Sequence, residues 1–191
     1  LIDQGRGEEV VDGVRDVIRV WRSVGHPDPV AGALVNVGRC ALESGDLDEA
    51  IARFTEAHSL TTSGSSARVL TDYWLAECAL RTGDADVAIR SATELLAVEQ
   101  ASGGTYLPQL YRLRGLALAA IDRFDEAIND ELTSIRIARE RGAAFDAAQA
   151  ILALDACHAA LGARADAAMR DEAYATLKRL GVRDVQLPLP A

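Results

Sequence analysis

A motif returns four times along this chain, and its spacing constrains the fold more than any other feature. It reads Gly38-x6-Gly45-Asp46-Leu47-Asp48-Glu49-Ala50-Ile51, then Ala76-x6-Gly83-Asp84-Ala85-Asp86-Val87-Ala88-Ile89, then Gly115-x6-Asp122-Arg123-Phe124-Asp125-Glu126-Ala127-Ile128. A fourth copy stands at Gly162-Ala163-Arg164-Ala165-Asp166-Ala167-Ala168, with Asp155 in the place of the leading small residue. The aligned alanines Ala50, Ala88, Ala127 and Ala167 are 38, 39 and 40 residues apart, and a shortened copy, Gly5-Arg6-Gly7-Glu8-Glu9-Val10-Val11, comes first. Self-similarity at this period is the mark of a helical solenoid, because one helix hairpin cannot bury its apolar face alone and must share its neighbour's.

Helical periodicity and helix-ending residues divide the chain into nine expected helices, over residues 8–24, 30–44, 47–60, 66–82, 85–99, 107–121, 124–141, 145–161 and 164–180. No strand alternation persists beyond a few residues. The small residues Gly38, Ala76 and Gly115 let a paired helix come close, and the aligned alanines are expected to fill the matching gap. Gly45, Gly83 and Gly162 suit the left-handed conformation that ends a helix, and the acids that follow complement the positive amino end of the next one. Hydrophobic content is 49% with 5% aromatic, so the core must be built from Ala, Leu, Val and Ile.

The formal charge of −9 argues against a grip on phosphate backbones or anionic lipid, which require clustered Lys and Arg. No apolar run reaches the roughly 18 residues of a membrane span. Cys40, Cys78 and Cys157 fall two residues after the small position of their repeats, where the third copy has Ala117; they read as core filler in a reducing, cytoplasmic compartment. The chain opens on Leu1, and the stripe Val10, Val14, Val17 and Trp21 lacks a hairpin mate before it. Both features lead to the expectation of a fragment of a longer protein, open to self-association through its first helix. Cations are almost all Arg, with Lys178 the single lysine, as expected of a GC-rich bacterial genome.

Catalysis needs reactive groups that converge, and the spacing offers none. His26, His58 and His158 have no evident partner, and Cys157 and His158, adjacent on a helix, point about 100° apart. Gly103-Gly104-Thr105 lacks the Lys of a phosphate loop. The acidic pairs Asp48-Glu49 and Asp125-Glu126 recur at helix starts, where the helix dipole accounts for them. The expectation is a non-enzyme with no cofactor and no metal.

The pattern Leu34-x2-Val37-Gly38-x2-Ala41-x3-Gly45-Asp46-Leu47-Asp48-Glu49-Ala50-Ile51-x2-Phe54-x2-Ala57 resembles a tetratricopeptide repeat at nearly every framework position, and Tyr111-x3-Gly115-x2-Leu118-x8-Ala127 resembles it nearly as well. The period exceeds the roughly 34 residues of the standard repeat. Such long repeats are similar to the carboxyl-terminal arrays of bacterial, notably actinobacterial, signal-transducing ATPase or cyclase-like proteins and maltose-regulator-type activators. The resemblance implies an all-α solenoid of stacked antiparallel helix hairpins in a right-handed superhelix. It would form a single domain with a truncated repeat over residues 1–27, repeats over 28–64, 65–104, 105–143 and 144–181, and a tail over 182–191. It also implies that first helices line a concave face, whose positions map to Val35, Asn36, Arg39 and Glu43, then Tyr73, Trp74, Glu77 and Arg81, then Gln109 and Arg112. One of the two adjacent aromatics is expected in the core, Trp74 before Tyr73. The set lacks the Lys and Asn clamp for a peptide carboxylate, since Val35 and Arg39 hold the decisive places. The function implied is a regulatory scaffold for a protein, a peptide or a small effector, with no nucleic acid and no membrane. Alternatives are a free-standing adaptor, or an accessory scaffold attached to a cyclase or ATPase module.

Overall fold

A computed structural model describes residues 7–25, 27–163 and 166–182, and the backbone alone at residues 7–10, 12 and 15. His26, Arg164, Ala165 and the tail from residue 183 lie outside the described residues, as does the Gly5-Arg6 start of the shortened copy. Every regular element among the described residues is a helix: α1 Gly7–Ser23, α2 Pro27–Ser44, α3 Leu47–Leu60, α4 Ser66–Arg81, α5 Ala85–Ser102, α6 Leu107–Ala119, α7 Phe124–Glu140, α8 Ala144–Ala160 and α9 Ala167–Arg179. The chain divides into two compact units, residues 1–78 and 79–191.

The recurrent motif is a helix stop followed by a helix start. Gly45 has φ 81°, its N–H bonds the Leu42 carbonyl at 3.1 Å, and the Asp46 N–H reaches back to the Ala41 carbonyl at 2.9 Å. This double bond from a left-handed residue closes the end of α2. The Asp46 carboxylate then accepts from the Glu49 N–H at 3.1 Å and opens α3. Gly83 with Asp84 repeats the arrangement at the next hairpin, and in the fourth copy Gly162 and Ala163 make the two bonds back to α8 while Asp166 caps α9. In the third copy Asp122 itself takes the left-handed place with φ 61°, so Arg123 falls at the cap position and offers α7 no side-chain cap.

Several boundaries differ from the sequence expectation for identifiable reasons. Helix α2 begins at Pro27 rather than residue 30, since a proline in the first turn has no N–H to leave unpaired. Helix α5 runs on to Ser102, where Gly103 with φ 102° stops it. Asp166 caps α9, so that helix starts at Ala167 and not at residue 164.

In the first unit, Val30, Leu34, Val35, Leu42 and Phe54 form the core with Ile18, Leu70 and Trp74 packed against it. A Cβ placed on Gly38 would stand 2.5 to 2.9 Å from the Phe54 ring. The nearest side chain to Gly38 is therefore Phe54, ahead of the aligned Ala50. Helix α1 turns Ile18 to this core and leaves Val17 and Trp21 40% and 37% exposed beside Val20 and Val24. Of the expected stripe, Val17 and Trp21 thus lie on the outer side of α1 and Val14 is half-buried; the Val10 side chain is outside the described residues.

In the second unit, Leu118, Ala119, Ala127 and Cys157 form one cluster, and Ile135, Ile151, Leu154, Ala173 and Leu177 another. The linker before α6 is pinned from both sides. Glu99 accepts the Tyr106 N–H at 2.7 Å, and Arg141 donates to the carbonyls of Gly104 and Thr105. At Gly115 a Cβ would lie 2.5 Å from Glu131 Oε1 and 3.2 Å from the Ala127 carbonyl oxygen, so here the aligned alanine does approach, with a carboxyl group beside it.

Candidate partner-binding face

On α2, Asn36, Arg39 and Glu43 fall three and four residues apart and so share one side of the helix. Asn36 and Glu43 are exposed and Arg39 is half-buried. The Arg39 guanidinium lies 5.1 Å from the centroid of the Trp74 ring, a cation–π contact between α2 and α4. Trp74 stacks on Phe54 with centroids 5.8 Å apart and meets the edge of Tyr73 at 5.0 Å. The deeper aromatic is Tyr73, 3% exposed, whereas Trp74 is half-buried; this reverses the expected order of the two. Neighbours on a helix diverge by about 100°, and resting on Phe54 leaves part of the Trp74 ring uncovered. Val35 is 3% exposed and belongs to the core, not to an open face. Glu77 is likewise buried, and Arg81 is half-buried.

In the second unit Gln109 is half-buried with its Oε1 enclosed and lacking a hydrogen-bond partner. Arg112, expected to reach out, is only 6% exposed. It faces Glu131 on α7, which is wholly buried, and its positive charge draws that carboxyl's pKa down against the larger effect of burial. Next to it Arg114 donates to both oxygens of Asp130, at 2.6 and 2.8 Å, and lies 5.5 Å from the Tyr111 ring. That bidentate bond raises the Arg114 pKa against the opposing effect of burial.

A polar node links α3 to α4. His58 Nδ1 lies 2.6 Å from Asp72 Oδ1, and Arg68 Nη1 is 2.9 Å from His58 Nε2. An arginine only donates, so Nε2 accepts and Nδ1–H donates to Asp72. Arg68 also donates to the Thr61 hydroxyl at 2.8 Å and to the carbonyls of His58 and Thr61 at 3.0 and 2.6 Å. The expectation that His58 lacks a partner is thereby corrected: the turn between the helices brings Asp72 and Arg68, one helical turn apart, against it.

Cys40, Cys78 and Cys157 are free and buried, as core filler should be. Burial, reinforced by Glu131, pushes the Cys157 thiol up to about 11, far from a reactive thiolate. Among the described residues no group of three or more His, Cys, Asp or Glu is placed to hold a metal ion. A cleft of about 330 Å³ between α5, α6 and α7 has walls made by two ion pairs, Arg114 with Asp130 and Arg123 with Glu126.

Among the residues described here, sequence reasoning missed Glu131, Asp130 and Arg68. Glu131 carries a signal after the fact: it stands in the third repeat where Phe54 stands in the first, both 16 residues after the small position.

No protein-family model and no curated protein sequence matches the chain. Solved structures do. The nearly identical TPR-like repeats described as a kinesin light chain of Podosopora anserina align with a TM-score of 0.60 at 14% identity, over 94% of this chain and 87% of that one. A variant of the same protein gives 0.61 at 14% identity. The MamA protein aligns at 0.51 with 17% identity, over 94% of this chain and 98% of its own. At these identities the likeness speaks for the fold, and the fold is that of a TPR-like repeat domain, an all-α solenoid of helix hairpins.

Proposed function

We propose that the chain is a non-catalytic scaffold that holds a protein or peptide on the face offered by its first helices. It would serve as the carboxyl-terminal regulatory array of a larger cytoplasmic bacterial signalling or transcription regulator. The observation that carries this reading is the Arg39–Trp74 contact on α2 and α4, with exposed Asn36 and Glu43 in the same stripe as Arg39. A pre-positioned arginine and tryptophan within a polar surround is the composition of an interface anchor. Taken by itself, the second unit offers half-buried Arg81 and Gln109 as candidate contacts with Arg112 buried as a support, while in the first unit Tyr73 and Glu77 lie beneath the surface. The net charge of −9 favours a partner other than nucleic acid or an anionic membrane.

The test is capture from a native cell extract by the intact chain and by an Asn36→Ala, Arg39→Ala, Glu43→Ala variant, with Arg90→Ala as control. Truncating a true anchor costs about 2 kcal/mol, roughly a thirtyfold loss of affinity. The variant should lose partners that the control keeps, with an unchanged helical signal. Retention of the same partners by all three proteins refutes the assignment of this face.

A further inference from the structure

Glu131 is the most anomalous side chain in the second unit. It projects from α7 against Gly115 of α6, is 0% exposed, and neither carboxyl oxygen has a hydrogen-bond partner. The charged and titratable groups that face it come one from each packed helix: Arg112 from α6, Asp130 from α7 and Cys157 from α8. Arg112 favours the carboxylate, but Asp130 opposes it and is itself bound at both oxygens by Arg114. Cys157, 1% exposed, offers a neutral thiol at ordinary pH. An ionised carboxyl without hydrogen bonds in such a place is far more costly than a neutral one.

We propose that Glu131 is carried in the folded state as the neutral carboxylic acid, which makes the α6–α7–α8 packing a proton-dependent element. It is tight while the acid keeps its proton and loosens when the proton leaves. The direction of titration agrees, because burial holds this group well above its ordinary value of 4.5, the pull of Arg112 being the smaller effect. A folded-state pKa above the unfolded one means that the stabilising contribution is complete below about pH 4.5. It is then lost as pH rises toward the folded value and stays constant beyond it. The slope of that loss is fixed by one proton, a tenfold change in the unfolding equilibrium per pH unit, or about 1.4 kcal/mol.

The experiment has two arms on the full chain. The infrared spectrum of the wild type minus that of Glu131→Gln should show one protonated-carboxyl band at pH 7, and its disappearance on raising the pH marks the folded titration. Denaturant unfolding of both proteins from pH 5 upward should show the amide variant gaining on the wild type tenfold per pH unit until that same pH, then running parallel. Cys157→Ala should follow the wild type below pH 9. A wild-type spectrum without a protonated-carboxyl band at pH 7 overturns the proposal, and needs no variant to fold. A stability difference independent of pH overturns it equally. So does an alkaline loss that vanishes in Cys157→Ala but survives in Glu131→Gln, since the thiol would then be the titrating group.

Discussion

Two glycines on the same helix should respond differently to the same substitution. Gly32 and Gly38 both lie within α2, where glycine costs about 1 kcal/mol relative to alanine. Around Gly32 nothing stands within 4 Å of an added Cβ, so Gly32→Ala should stabilise the protein by up to about that amount. At Gly38 the added carbon meets three atoms of the Phe54 ring at 2.5 to 2.9 Å. The ring has little room to retreat, being 0% exposed and stacked on Trp74. Inserting a methyl group into such a core costs about 1–3 kcal/mol, which cancels or exceeds the gain in helix propensity. The two variants should therefore differ by about 1–3 kcal/mol in urea unfolding, with unchanged slopes. Phe54→Leu in the Gly38→Ala background should recover part of the loss, a coupling of about 0.5–3 kcal/mol expected of residues in contact. If Gly38→Ala is as stable as Gly32→Ala, Phe54 does not fill the hairpin and the packing register described for α2 and α3 is wrong.

Ala127, 0% exposed between α6 and α7, should tolerate no bulk, and Ala127→Leu should lower stability by about 1–3 kcal/mol, whereas Arg123→Ala in the exposed turn should leave the denaturant midpoint in place. Asp122 occupies a left-handed position that the other hairpins fill with glycine, so Asp122→Gly should raise stability by up to about 1 kcal/mol, read as a higher melting temperature. Iodoacetamide at pH 8 should label none of the three cysteines in the native protein and all three in urea; fast native labelling of Cys157 would contradict both its burial and its thiol pKa of about 11.

The hairpin plan was readable because it is local. A glycine or aspartate in the left-handed conformation, a capping acid and an apolar run at helical spacing all act within a few residues, and α3 agrees with its expected bounds at both ends. Side-chain depth was less readable, because it depends on which neighbour a helix meets. Tyr73 and Trp74 are adjacent, and only the position of Phe54 on another helix decides which of them keeps an open edge. Arg112 has the composition of a contact residue, yet it is buried facing Glu131, which stands 19 residues further along the chain. The His58, Asp72 and Arg68 node was invisible for the same reason, since its members sit 14 and 10 residues apart across a turn.

The brevity of those turns has a kinetic consequence. Among the described residues of the second unit each helix packs on its immediate successor, and the contacts that reach further, α6 with α8 and the Arg139–Glu172 ion pair of α7 with α9, skip a single helix. Contacts so close in sequence demand little loop closure, and low contact order is the condition for rapid folding. A chain of this kind can acquire structure hairpin by hairpin while its carboxyl end is still being synthesised. Each new helix then finds its docking surface already formed by the one before it.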